Sequence, residues 1–332
     1  MKSTLRLWTL AAVLALPLAA GSVRIIQTNA AGDEVTVIDP ATNKVEMTYR
    51  DLEAAHGVIA SPAGRRVYFT VEGDSTVTAV DSMSGKILGK ATLSGHPNNI
   101  AISKDGKYVF VAIAEAPGAV EIVDTGSLKS VKTVPVKGAV HNVYVTPDGK
   151  YVVAGSVAGK IITAIDGQTF EPAWEVTLSE GVRPFTFEKA ADGSTRRIFV
   201  QLSNLHGFDV VDFKTHEVVQ RVTLPDEPKG GLVHSGAPSH GIGVTPDGKT
   251  LVVNSSQAPG VFFYSLPGLK LLGFVKTGST PDWLTFTPDS KMVYVANAGI
   301  NVVSAVDIAA RMEVAKIPVG EVPKRNGTLV IP

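Results

Sequence analysis

The chain has 332 residues, with 31 basic and 31 acidic side chains, 44% apolar residues, 32 glycines and no cysteine. Balanced charge leaves no electrostatic footprint for nucleic acid, whose binding needs a basic surplus to displace phosphate counterions. The missing cysteine excludes disulfides, a thiol nucleophile, cysteine-linked lipid and covalently attached c-type haem.

Lys2 and Arg6 precede an apolar stretch over residues 7–17, followed by Ala19, Ala20, Gly21 and Ser22. This is the pattern of a secretory signal peptide over residues 1–21, too short to be a spanning helix. The expected destination is the bacterial periplasm or the exterior, with no membrane span after cleavage. A retained N-terminal anchor is the alternative. Residues 22–332 then form one domain.

The mature chain opens on two short apolar runs, residues 23–27 and 35–39, after which one pattern repeats to the end. Each copy holds an apolar run, a tight turn of the Pro-Asp-Gly-Lys kind, a Val-Tyr-Val-like run, and a run ending in Asp. The turn residues Gly64, Gly106, Gly149, Gly193, Gly248 and Ser290 are spaced by 42, 43, 44, 55 and 42 residues. In the third copy the predicted strands are 141–146, 151–156, 161–166 and 173–178. Pro presets φ in such a turn and Gly supplies positive φ. Short strands repeating at this period, with no helical stretch between them, predict a β-propeller. Seven inner-strand starts make seven four-stranded antiparallel blades. The chain ends on a lone strand over residues 327–331, which is expected to pair with the N-terminal strands and close the ring. Asp39, Asp81, Asp124, Asp166, Asp212 and Asp307 end the third strands. A short carboxylate there accepts backbone N–H groups of the next turn, which is a scaffold role.

Met292-Val293-Tyr294-Val295-Ala296-Asn297 followed by Val302-Val303-Ser304-Ala305-Val306-Asp307 resembles the YVTN-repeat family of seven-bladed β-propellers. The resemblance covers essentially residues 23–332. It implies the fold, and says little of function, because the family is broad.

Counting back five residues from the Ser or Thr opening each turn gives His56, Asn98, His141, Phe185, His240, Asp282 and Lys324. Strand starts of this kind surround the channel on the face bearing the longer loops. Three of the seven histidines share this register. Neutral imidazoles with a carboxylate suit a first-row metal, so His56, His141, His240 and Asp282 are the candidate set for copper, zinc or iron. Asn98, Arg183, His234, Lys324 and Arg325 are the candidate ligand-binding residues, cationic groups matching a carboxylate. His234 lies in the oversized loop at 224–239, the expected lid, because insertions on one face of a repeat protein carry binding. His96 precedes a proline on that face, and Glu72, Glu115, Asn204, Gln257 and Asn297 are rim residues. His206 and His216 fall outside the register and read as surface residues.

No Gly-x-Ser-x-Gly elbow, phosphate loop or His-Glu-x-x-His is present. The sequence therefore supports a propeller that binds a small ligand or a periplasmic protein partner. The alternative is a metal-dependent redox or hydrolytic enzyme at the histidine ring. A lactonase-like variant of the latter would lean on Asn98 and Asp282.

Overall fold

The computed structural model describes residues 21–226, 231 and 236–332. Residues 1–20, all but the last residue of the expected signal peptide over 1–21, and His234 lie outside the described residues. Every described element is a strand, 28 in all, arranged in seven four-stranded antiparallel sheets. Among the described residues no helix is long and apolar enough to cross a membrane.

In each blade, strands A to D run from the axis outward. Blade 3 is typical, with A at Val140–Val145, B at Tyr151–Ser156, C at Ile161–Asp166 and D at Pro172–Thr177. The first A strand is Ala55–Ala60. Blade 7 is composite: its inner strand is Pro323–Ile331, followed by Ser22–Asn29, Val35–Asp39 and Lys44–Tyr49. The predicted closure is therefore the observed one. It removes the edges that an open sheet series would expose.

Turn chemistry follows the repeat. Gly149 takes φ 78°, and Ser290 occupies the same slot at φ 60°. Oδ1 of Asp166 accepts the N–H groups of Gln168 and Thr169 at 2.9 and 2.8 Å, and the other five strand-ending aspartates cap their turns likewise. Seven apolar clusters fill the seven interfaces between neighbouring blades. That between blades 4 and 5 holds Phe199, Phe208, Ile242, Phe262 and Tyr264. Burying each such side chain contributes roughly 1.5–3 kcal/mol, so stability resides between blades.

Side chains on strand B also stitch neighbouring blades together at the axis. The Thr70 hydroxyl accepts the Gly57 N–H at 2.6 Å and donates to the Asn98 carbonyl at 2.6 Å. A Cβ on Gly57 would lie 2.7 Å from that hydroxyl, so only glycine fits there. Thr28, Gln201 and Asn254 donate to the next blade's strand A in the same way.

Truncation after residue 322 tests the closure. The variant lacking residues 323–332 should lose its cooperative melting transition and self-associate through the bared Ser22–Asn29 edge, as read by calorimetry and light scattering.

Candidate functional site

Every strand A carries a register irregularity at its channel entrance, between Ala55 and Val58 in blade 1 and at the matching point in all others. A bulge re-aims side chains that regular pairing would bury between blades. Matching the paired residues on either side yields the ring His56, Asn98, His141, Arg183, His240, Asp282 and Lys324. Six were expected; Phe185 was not a member. The blade-4 A strand runs Val182–Lys189, with its own bulge before Lys189 pairs with Thr195. Counting back five residues from that longer hairpin therefore stops two residues short. Phe185 is packed in the core between blades 3 and 4, and Arg183 takes the ring position.

The next position along holds Asn142, Trp283 and Arg325, none of which came out of the ring count. Arg325 was expected at the rim as a ligand contact. It lies inside the channel, 2% exposed. Its Nη1 donates to Asn142 Oδ1 at 3.1 Å, its Nη2 donates to Asn98 Oδ1, and its guanidinium carbon sits 3.9 Å from the centre of the Trp283 ring. Its Nε has no partner among the described residues. Asn98 and Asn142 thus brace the arginine. Beyond it, toward the opposite face, the channel widens into a chamber of about 640 Å³ lined by Ile100, Tyr144, Phe187, Ile242 and Phe286 among others.

Above Arg325, blades 5, 6, 7 and 1 contribute His240, Asp282, Lys324 and His56 in order. His240 Nδ1 is 3.0 Å from the Asp282 carbonyl oxygen and 3.2 Å from its Oδ1, and Lys324 Nζ is 3.4 Å from Asp282 Oδ2. His56 Nδ1 contacts Glu72 Oε1 from the B–C loop. Carbonyl and carboxylate oxygens only accept, so both histidines carry hydrogen on Nδ1 and a lone pair on Nε2. His141 is the reverse. The guanidinium fixes the Asn142 amide with its oxygen toward Arg325, so Nδ2 donates to His141 Nδ1. Its hydrogen then sits on Nε2. The His141 and His240 rings meet edge to face at 5.7 Å.

Burial pushes His240 down to about 4, with Asp282 opposing and Arg325 and Lys324 reinforcing. Burial likewise lowers His56 despite its bond to Glu72. His141 is held well below the imidazole range by burial, with His240 and Arg325 adding to it. Burial alone would raise Asp282 and Glu72. The neighbouring histidines and cations more than offset it and keep both carboxylates below their ordinary range. At neutral pH the ring therefore holds uncharged imidazoles, two carboxylates and the cations Arg183, Lys324 and Arg325.

The expected metal set of His56, His141, His240 and Asp282 does not assemble. Among the described residues no three His, Asp or Glu side chains are placed to hold one ion. Asp282 is turned to Lys324 and His240, and Nε2 of His141 bears hydrogen. Other rim expectations also change. Asn297 is fully buried and accepts from Thr277 and Gly278, a structural role. His216 stacks on Trp174 at 4.2 Å. His206 is not a surface residue: 8% exposed, it joins Ser255 Oγ at 2.7 Å and Asp226 Oδ1 at 3.2 Å. That is the connectivity of a nucleophile, base and carboxylate, but Ser255 is fully buried and already accepts the Ala258 N–H. It anchors the stem of the long loop instead. Arg183 Nε donates to Ser203 Oγ at 2.9 Å.

The model of the cytochrome d1 haem domain family matches residues 22–143, from strand B of blade 7 into strand A of blade 3. No curated protein sequence matches the chain. Among solved structures, a putative 6-phosphogluconolactonase from Bacteroides fragilis is similar at TM-score 0.76 and 18% identity, covering 94% of this chain and 99% of that one. The periplasmic gluconolactonase of Pseudomonas aeruginosa is similar at TM-score 0.74 and 20% identity, over 94% and 100%. The dihydro-haem d1 dehydrogenase NirN, in complex with DHE, is similar at TM-score 0.66 and 19% identity, over 89% and 63%. Identities this low establish the seven-bladed fold alone.

The depressed histidines predict an acid-side loss of stability. A group neutral in the fold and protonated in the unfolded chain contributes fully above its unfolded value of 6.5. That contribution is lost as pH falls toward the folded value of about 4. For His240 alone the drop corresponds to about 3 kcal/mol. Thermal melts should fall steeply between these limits, and His240→Gln should flatten the curve while leaving its neutral-pH end nearly level.

Proposed function

We propose that the protein is an exported propeller that binds a small organic anion in the axial ring of its loop-bearing face. The carrying observation is the charge arrangement: among the described residues, three cations face two carboxylates around neutral imidazoles. Arg325 is fully buried, and its guanidinium donates to the neutral amides of Asn142 and Asn98. A surplus of positive charge in a poorly solvated site attracts an anion far more strongly than it would in water. Lys324, 19% exposed at its side chain, and Arg183 are the groups that meet a carboxylate. Export through residues 1–21 and a binding role for the loop at 224–239 belong to the same reading. Gluconate, the product class of the two lactonases, is one such anion.

Calorimetric titration with gluconate, 6-phosphogluconate and citrate tests this. At least one should bind, more weakly at higher salt, and Lys324→Met should weaken it about 10- to 100-fold, the worth of a hydrogen bond to a charged group. Binding by none of them, or binding indifferent to Lys324→Met, removes the reading.

The family match over residues 22–143 favours a second ligand, an iron tetrapyrrole. The residues are compatible: His240 would hold the iron through its Nε2 lone pair, and Arg183 and Lys324 would hold acidic substituents. Such a group would supply redox chemistry or gas binding. Titration with iron protoporphyrin IX should then give a saturable Soret band that His240→Ala abolishes. An unchanged spectrum excludes it.

A further inference from the structure

We propose that the ring is also a hydrolytic site for carboxylic esters or lactones, with His56 as general base and Glu72 and His96 conducting the released proton to solvent. The proposal rests on the anion-binding reading above and assigns it a substrate class.

His56, Glu72 and His96 come from three separate pieces of one face: the strand A bulge of blade 1, its B–C loop, and the loop leading into blade 2. His56 Nδ1 and His96 Nε2 converge on the same oxygen, Glu72 Oε1, the latter at 3.6 Å. Side-chain exposure rises along the series, 14% at His56, 24% at Glu72 and 48% at His96. A carboxylate kept ionised between two imidazoles, one inside the ring and one in water, can take a proton from His56 directly and pass it to His96 across 3.6 Å, a span that a small side-chain rotation brings within hydrogen-bond reach. A structural ion pair would need only one permanent cation, and no Lys or Arg contacts Glu72 among the described residues. The other available base, His240, has a neutral carbonyl as its nearest Nδ1 partner and no such exit.

The chemistry balances without a metal. As the water oxygen bonds to the acyl carbon, an O–H bond breaks and its proton passes to His56 Nε2. Glu72 holds the Nδ1–H and stabilises the imidazolium. Negative charge moves onto the acyl oxygen, where Lys324 and Arg183 supply positive charge. The tetrahedral species collapses by breaking the bond to the alkoxy oxygen, which takes the proton from His56. The acid formed then ionises. Its carboxylate is the anion the cations hold, and its proton leaves through Glu72 and His96.

The test uses the exported chain with glucono-δ-lactone and 6-phosphoglucono-δ-lactone, following acid release with an indicator against the uncatalysed rate. At least one lactone should be hydrolysed faster than in buffer. His56→Gln should lower kcat by about 100-fold or more, with gluconate affinity changed only a few-fold and an unchanged melting temperature. His96→Gln should slow turnover in weakly buffered solution, and concentrated imidazole should restore it by carrying the proton instead. A protein that binds gluconate yet hydrolyses neither lactone overturns the inference and leaves the binding role standing. One that binds no anion overturns both. A His96→Gln enzyme as fast as wild type in weak buffer, or slow and not rescued, overturns the relay.

Discussion

The hydrogen bonding of Pro323–Ile331 to Ser22–Asn29 is the constraint on which the rest of the molecule depends. It joins the two ends of the chain into one blade, and without it the interfaces of blades 6 and 1 with blade 7 are left incomplete. The same strand delivers Lys324 and Arg325 to the axis. The ring's cations are thus available only when the circle is shut, so the site is assembled by the last step of the architecture.

Arg325 shows how such a centre is sustained. A guanidinium taken wholly out of water costs several kcal/mol unless its donors are matched. Here two asparagine oxygens, Tyr144 and the face of Trp283 match the guanidinium on all but its Nε, while Asp282 and Glu72 act at longer range. Those carboxylates stay ionised partly because of Arg325, and the imidazoles stay neutral partly for the same reason. One residue on the closing strand therefore adds to the protonation pattern of most of the ring, behind burial for the imidazoles and the neighbouring histidines for the carboxylates.

Much of this was legible in the chain. Turn residues and strand-ending aspartates are local chemistry, so the repeat gave the blades, the capping role of Asp166 and the shared blade at the termini. The ring was legible to the extent that hairpins have equal length, and it failed at Phe185 because blade 4 has a longer one. Asn142 and Trp283 were not legible. Their roles come from a bulge that turns consecutive residues inward and from partners 183 and 42 positions away. The aggregation of His56, Glu72 and His96 was visible only as three residues on one face. Their convergence on one oxygen is a product of loop geometry. His206 misled for the opposite reason: outside the register, it is buried by a loop stem the repeat does not encode.

The chamber beneath Arg325 gives the channel two unlike halves. Its walls are mostly apolar and aromatic, with Thr186, Thr285 and Thr328 among them, while the half above is charged and hydrogen-bonded. Arg325 and its amides lie between them, so the two mouths of the channel present unlike chemistry: a polar solute meets charged partners from the loop-bearing side, and an apolar one meets its match from the other.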